Sequence, residues 1–176
     1  LLEQAQKAVA EAVVRLGRAA AVLTQLREAS AQALAQRITQ HIRDLAMPNG
    51  VLQIKCGQLD KFMPLGRDEL KFIFSANMGE PLNDLEKVAS GGELSRIALA
   101  VKTVLMNSGD VDTMVFDEID TGVGGVTAQK MAEKIAAISG VGQVLCITHL
   151  PQIAAFADNH IHIEKQSTDG RTVTQL

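Results

Sequence analysis

The chain has 176 residues, 47% of them hydrophobic and 3% aromatic, with a formal net charge of −3. That length suffices for one domain with an aliphatic core and an appendage; the mildly acidic balance and the absence of Trp and Tyr exclude a globally basic nucleic-acid binder and a base-stacking platform, while leaving room for a local basic patch. The two cysteines, Cys56 and Cys146, lack metal-ligand spacing and no apolar run is long enough to cross a bilayer, so a reducing, non-membrane setting is expected.

The opening LLEQAQ has no initiator methionine, as expected of a segment of a longer protein. Residues 1–46 contain no proline and a single glycine, Gly17. Val9, Val13, Leu16, Ala20 and Leu23 step by four, three, four and three, a heptad seam, while Leu34, Ile38, Ile42 and Leu45 step by four, four and three. The pattern predicts one long helix, coiled coil at its start and docked on a globular body at its end; the alternative is an ordinary long amphipathic helix. Met47-Pro48-Asn49-Gly50 stops it. VLQIKC (51–56) and LKFIFSAN (70–77) read as strands, DKFMPLGRDE between them as a loop, and NMGEPLNDLEKV (77–88) as a polar connector.

From residue 90 onward the elements alternate: a helix over 91–107, the loop NSGD, the apolar strand TMVF (113–116), the turn TGVGG (121–125), a helix over 125–138, the buried strand VGQVLCIT (141–148), a short helix in LPQIAAFAD (150–158), and a closing hairpin of HIHIEKQ and RTVTQL around Asp169-Gly170. Helix and strand alternating at these lengths predict an α/β layer with a mainly parallel sheet. Ligands of such sheets bind beyond the carboxyl ends of the strands.

Three features fall on that edge. Ser90 and Glu93 match the capping box S-x-x-E, which explains both residues but not Gly91 and Gly92 between them. Paired glycines there bare the backbone at a helix start, where free amides and the dipole favour an anion such as phosphate. TMVFDEID ends a buried strand in Asp117 and Glu118, with Asp120 just beyond. Carboxylates so placed suit a magnesium ion on Asp117 and a water-activating base at Glu118; the plainer alternative is a solvated acidic turn. His149, after the next strand, emerges on the same edge, as a donor to phosphate or as a structural hydrogen-bonding histidine. His160, His162 and Glu164 alternate and would share one strand face, which reads as a polar face ahead of a metal site.

In wording and order these stretches resemble the ABC-type ATPases. ASGGELSRIALA resembles their signature motif, TMVFDEID their Walker B strand with its catalytic glutamate, TGVGG the D-loop, and CITHLPQ the switch-histidine loop. SGGELSRIALAVK, FDEIDTGVGG and CITHLPQIAAFAD together resemble the SMC-related branch that serves bacterial DNA double-strand-break repair. The resemblance implies an α/β fold, the C-terminal lobe of an ABC-type P-loop ATPase head (47–176), preceded by the end of a coiled-coil arm with its docking helix (1–46). It implies that Ser90, Gly91, Gly92 and Glu93 contact the γ-phosphate of an ATP held mainly by the opposite subunit. Asp117 would act on Mg²⁺, directly or through water, Glu118 as general base and His149 as γ-phosphate sensor. Asp120 through Gly125 would line the dimer interface, Asp120 at the nucleotide. The implied partners are the N-terminal Walker A half of the same head, a second copy across the composite ATP site, and DNA, in the bacterial cytoplasm at the nucleoid and away from membranes. No G-x-x-x-x-G-K-[ST] occurs in these residues, so ATP binding and hydrolysis are expected to need the Walker A half. The competing readings are the head of another SMC-like chromosome or repair protein, and a non-hydrolysing coiled-coil scaffold with a degenerate head.

Overall fold

Nothing between Leu2 and Asp44 interrupts a helix, and alanine is frequent there, the residue with the highest helix propensity. A computed structural model, which describes residues 1–87, 90–106, 113–168 and 171–175, has a single helix in this stretch, α1 (Leu2–Asp44). Val9, Val13 and Leu16 are exposed, whereas Ala20, Thr24, Ala31, Ala35, Ile38, Thr39 and Ile42 are buried. The helix ends where Ala46 turns left-handed, φ 63°, and the amide of Gly50 closes a turn on the Met47 carbonyl at 2.9 Å. A Cβ on Gly50 would lie 2.7 Å from Ile42 Cγ2, so only glycine lets the returning chain lie this close to the helix.

The chain then forms a hairpin longer than its alternation predicts. β1 (Val51–Met63) and β2 (Gly66–Ser75) pair antiparallel from Val51 opposite Ser75 to Gln58 opposite Asp68, with an irregularity before Met63 opposite Gly66. Residues 60–69, expected as a loop, are therefore mostly strand around the turn at Pro64-Leu65. Their side chains bury no continuous face, so they carry no period-two signal. What holds them is α1. Asp68, whose side chain is 1% exposed, accepts from Thr24 Oγ1 at 2.5 Å and pairs with Arg27 Nη1 at 2.7 Å. Arg27 Nη2 also donates to the Leu65 carbonyl at 2.7 Å. Nearer the root, buried Thr39 satisfies both backbone groups of Leu52, accepting from its amide at 3.1 Å and donating to its carbonyl at 3.3 Å. The connector contributes the short third strand β3 (Asn83–Asp84), paired with β2, and a 3₁₀ turn at Leu85–Lys87.

The second half alternates as expected: α2 (Gly91–Leu105), β4 (Thr113–Phe116), α3 (Gly125–Ser139), β5 (Gln143–Cys146), α4 (Pro151–Ala154), β6 (Glu164–Thr168) and β7 (Arg171–Gln175). β4 and β5 are parallel, Phe116 opposite Cys146, and their pairing extends to Ile147, whose amide donates to the Phe116 carbonyl at 2.9 Å. One core joins the root of α1 (Ile38, Ile42, Leu45), the hairpin (Leu52, Phe74), α2 (Ile97, Leu99, Ala100), Phe116, and α3 (Met131, Ala132, Ile135, Ile138). Asp44 near the end of α1 takes Lys130 and Lys134 of α3, each at 3.2 Å. Lys134 also lies 2.8 Å from His41 Nδ1, and burial, then this lysine, lowers the imidazole's pKa.

Three further expectations change. β5 was expected to be buried, but the β4–β5 pair buries one face only: Val115, Leu145 and Ile147 on the other are 62%, 49% and 59% exposed, because no described element lies over them. The short helix ends at Ala154 rather than near 158. β6 begins at Glu164, so His160 and His162 precede it and do not alternate along a strand; His162 Nε2 lies 3.9 Å from Glu164 Oε2. β6 and β7 do form the closing antiparallel hairpin. The NSGD loop and the Asp169-Gly170 turn lie outside the described residues. Among the described residues no helix is long and apolar enough to cross a membrane.

The Thr24 hydroxyl and the Arg27 guanidinium hold the Asp68 carboxyl below its usual pKa. A depressed folded value means stability that is complete above the ordinary carboxylate pKa near 3.9 and lost as pH falls through the folded value. Asp68→Asn should therefore lower the melting temperature at pH 7. In thermal scans the gap from the parent should close as the pH falls below the ordinary carboxylate range and through the depressed folded value, where the parent's own carboxyl takes up its proton.

Candidate functional site

The start of α2, the turn after β4 and the loop after β5 converge on one edge of the molecule. Ser90 is extended (φ −109°, ψ 122°) and caps α2, its Oγ accepting from the Glu93 amide at 3.5 Å. The two glycines behind it differ. A Cβ on Gly92 would stand 2.9 Å from the Glu118 carbonyl oxygen, 3.3 Å from Arg96 Nη1 and 3.4 Å from Thr121 Cβ. Gly92 is therefore required by this chain's own packing of helix on turn. Gly91 is exposed, and a Cβ there would meet only the tip of the Glu118 carboxylate, Oε2, at 3.0 Å.

Asp117 and Glu118 follow β4 and are both exposed. Asp117 Oδ1 accepts from the Glu118 amide at 2.9 Å. Glu118 itself has φ 55°, the left-handed region that a residue with a Cβ enters at a cost of about 1–2 kcal/mol. The Thr121 amide donates to the Glu118 carbonyl at 3.1 Å and closes the turn. Backbone strain of this kind persists only where the surroundings impose it. Here α2 does so. Ser95 Oγ donates to the Asp117 carbonyl at 2.9 Å, and buried Arg96 donates through Nη1 to the carbonyls of Thr121 at 3.0 Å and Ile119 at 3.4 Å.

Asp120, expected at the nucleotide, is buried and turned into the molecule. It accepts from Thr148 Oγ1 at 2.5 Å and from the His149 amide at 2.9 Å, and its Oδ2 lies 3.0 Å from His149 Nδ1. Burial pushes its pKa up, but the Thr148 hydroxyl, the His149 amide and the imidazole outweigh that and the carboxyl stays below its ordinary value. The imidazole is 72% exposed, so Asp120 fixes one ring nitrogen and leaves the remainder facing solvent. The negative field of the edge reaches Cys146 at the end of β5: burial, then the Asp120 and Asp117 carboxylates, raise its thiol to about 11.

The edge thus gathers Ser90 to Glu93, Asp117, Glu118, Asp120 and His149. Sequence reading missed Ser95, Arg96 and Thr148. Arg96 left a trace: it falls four residues after Gly92 and four before Ala100, so a cation sits on the helix face that turns inward. That face holds Gly92, Arg96, Ile97, Leu99 and Ala100, while Leu94 and Ala98, apolar too, are exposed. The donor set fits a magnesium nucleotide. Mg²⁺ is commonly bound through one or two carboxylates together with substrate phosphates, and Asp117 supplies an exposed carboxylate beside a helix start that offers backbone amides. Among the described residues no group of three or more His, Cys, Asp and Glu forms an all-protein metal cage.

The fold is that of a lobe of Smc head domains. It is similar to the Smc head domain with a coiled coil and joint from Pyrococcus yayanosii (TM-score 0.55, 23% identity, 85% of this chain and 27% of that one). It is also similar to the Smc head domain with an extended coiled coil, bound to the C-terminal domain of ScpA, from Pyrococcus furiosus (TM-score 0.54, 21% identity, 86% and 37%). In sequence the chain matches a C-terminal segment of DNA repair protein RecN. It is 44% identical to RecN of Bacillus subtilis over 172 residues, 89% of this chain and 30% of that protein. To RecN of Haemophilus influenzae it is 37% identical over 177 residues, 100% and 31%. It spans about 30% of the length of the curated relatives it matches. No family model matches the chain.

Gly92→Ala should cost about 1–3 kcal/mol, as overpacking against a backbone carbonyl does. Gly91→Ala should be neutral or stabilising by up to about 1 kcal/mol, because alanine is the better helix former and only a movable carboxylate stands in its way. Urea unfolding of the two variants separates these outcomes.

Proposed function

We propose that this chain is the C-terminal lobe of an SMC-like ATPase head that hydrolyses ATP across a head–head dimer during DNA double-strand-break repair. The observation that carries the reading is the meeting, on one edge of a head-type fold, of the glycine helix start, the Asp117-Glu118 turn and the Asp120-supported His149. The match to RecN supplies the DNA-repair context.

In this reading Ser90, Gly91, Gly92 and Glu93 present the amide end of α2 to the γ-phosphate of a nucleotide held mainly by a second head, where exposed Gly91 leaves room for close approach. Asp117 holds Mg²⁺, directly or through water, and the ion would supply charge neutralisation of the phosphates. Glu118 orients a water for in-line attack and accepts its proton at a carboxylate oxygen. His149 donates from its exposed ring nitrogen toward phosphate, with its orientation set by Asp120. The exposed Val115, Leu145 and Ile147 are the face against which the Walker A half of the same head packs, and Val9, Val13 and Leu16 are the seam of the coiled-coil arm over residues 1–46. DNA engagement by the whole protein, and its place in the bacterial cytoplasm, belong to the same proposal.

ATP turnover by this chain alone, and mixed with the Walker A half of the same head, tests it. The chain alone should be silent, the mixture active, and Glu118→Gln should reduce turnover by at least about 100-fold, the lower end for loss of a positioned base. A folded, associated mixture that stays silent would overturn the hydrolytic role and favour the scaffold.

A further inference from the structure

The inward face of α2 meets the turn after β4 residue by residue. Ser95 Oγ takes the carbonyl of Asp117, Gly92 admits the carbonyl of Glu118 at closest approach, and Arg96 Nη1 takes the carbonyls of Ile119 and Thr121. Four carbonyls of one five-residue turn are thus engaged by three positions of one helix, Gly92 and the residues three and four beyond it. The turn holds a left-handed glutamate and carries Asp120, whose carboxylate reaches Thr148 and the His149 backbone and ring. Arg96 is buried, and its Nε has no hydrogen-bond partner among the described residues. Leaving a buried guanidinium nitrogen unpaired is costly, and burial lowers the Arg96 pKa, with Glu93 acting in the opposite sense. A leucine or methionine would fill the same inward position without that cost, so packing alone does not account for an arginine. What an aliphatic residue lacks is a donor for the Ile119 and Thr121 carbonyls.

We propose that Arg96, assisted by Ser95, is a positioning residue for the catalytic edge: it clamps the 117–121 backbone so that Glu118 keeps its left-handed conformation and Asp120 keeps hold of His149. Arg96 acts through the turn, by way of the Ile119 and Thr121 carbonyls. A displacement of the α2 start is thereby transmitted to Glu118 and, through Asp120, to His149, so the phosphate-facing helix end and the base move as one body. The inference rests on the ATPase reading for its effect on turnover, but not for its effect on the turn.

The test therefore has two arms. In the first, amide hydrogen exchange is followed in this chain, nucleotide-free, for the parent, Arg96→Met, Arg96→Lys and Ser95→Ala. Arg96→Met should accelerate exchange at least about 10-fold at the Thr121 amide, bonded to the Glu118 carbonyl, and at the His149 amide, bonded to Asp120. Amides in the β1–β2 hairpin should be unchanged. Arg96→Lys, which keeps one donor, should recover part of the protection. Ser95→Ala should give a smaller effect in the same direction, and it serves if Arg96→Met fails to fold. In the second arm, the complete head should lose at least about 10-fold in kcat on Arg96→Met with KM for ATP little changed, because the base rather than the nucleotide is misplaced. Uniform acceleration across the molecule, or unchanged Thr121 and His149 exchange in the folded variants, would overturn the clamp. If the parent head is silent while the exchange pattern is as expected, the clamp stands and the ATPase reading falls.

Discussion

The site depends on a close approach that a single methyl group would prevent: a Cβ on Gly92 would stand 2.9 Å from the carbonyl oxygen of Glu118. Close approach brings the first two turns of α2 within hydrogen-bonding reach of the turn after β4. From there Ser95 and Arg96 determine where the carbonyls of 117, 119 and 121 lie. The side chains the turn presents divide. Asp117 and Glu118 project to solvent, and Asp120 inward to the end of β5. One helix start therefore organises residues from three separate stretches of the chain. A glycine pair that looks at first like an exposed phosphate cradle has two members with separate physical tasks, Gly92 inward and Gly91 outward.

That division shows what was legible in the sequence. Element types and order from α2 to α4 follow from apolar runs of strand and helix length separated by glycine-rich turns, and the chain keeps them. The edge residues were legible because chemistry at strand ends stands out against apolar strands. The hairpin beyond Gln58 was not, because its stability comes from Thr24 and Arg27, about forty residues earlier in the chain, and no local pattern encodes such pairing. The enclosure of Asp120 was hidden for a related reason: an acidic residue next to two exposed acids gives no local sign that Thr148 and the His149 amide engage its carboxylate. The one-sided burial of β4 and β5 was hidden too, since an apolar run of four residues reads alike whether one face is covered or both.

The charged groups also divide by distance from water. Asp68 and Asp120 are nearly enclosed and satisfied by named donors, and both are held ionised below their usual range. The surface pair of Lys87 with Asp84, at 3.4 Å and largely exposed, contributes little by comparison. Enclosed carboxylates thus mark the two places where distant segments must be held together: the hairpin tip on α1, and the loop after β5 on the turn after β4.

The 43 residues of α1, at 1.5 Å each, make a rod about 65 Å long. Its root is fixed in the core by Ile38, Ile42 and Leu45 and tied to α3 by the Asp44, Lys130 and Lys134 pairs, while its first sixteen or so residues project beyond the body. Such a rod is a gear with a high ratio: a rotation of about 5° at the root sweeps the tip through about 6 Å, given that length. Because α3 begins directly after the glycine-rich turn, a tilt too small to notice at that turn, if carried through α3 to the root of α1, would reach the far end of the rod as a displacement larger than a helical turn.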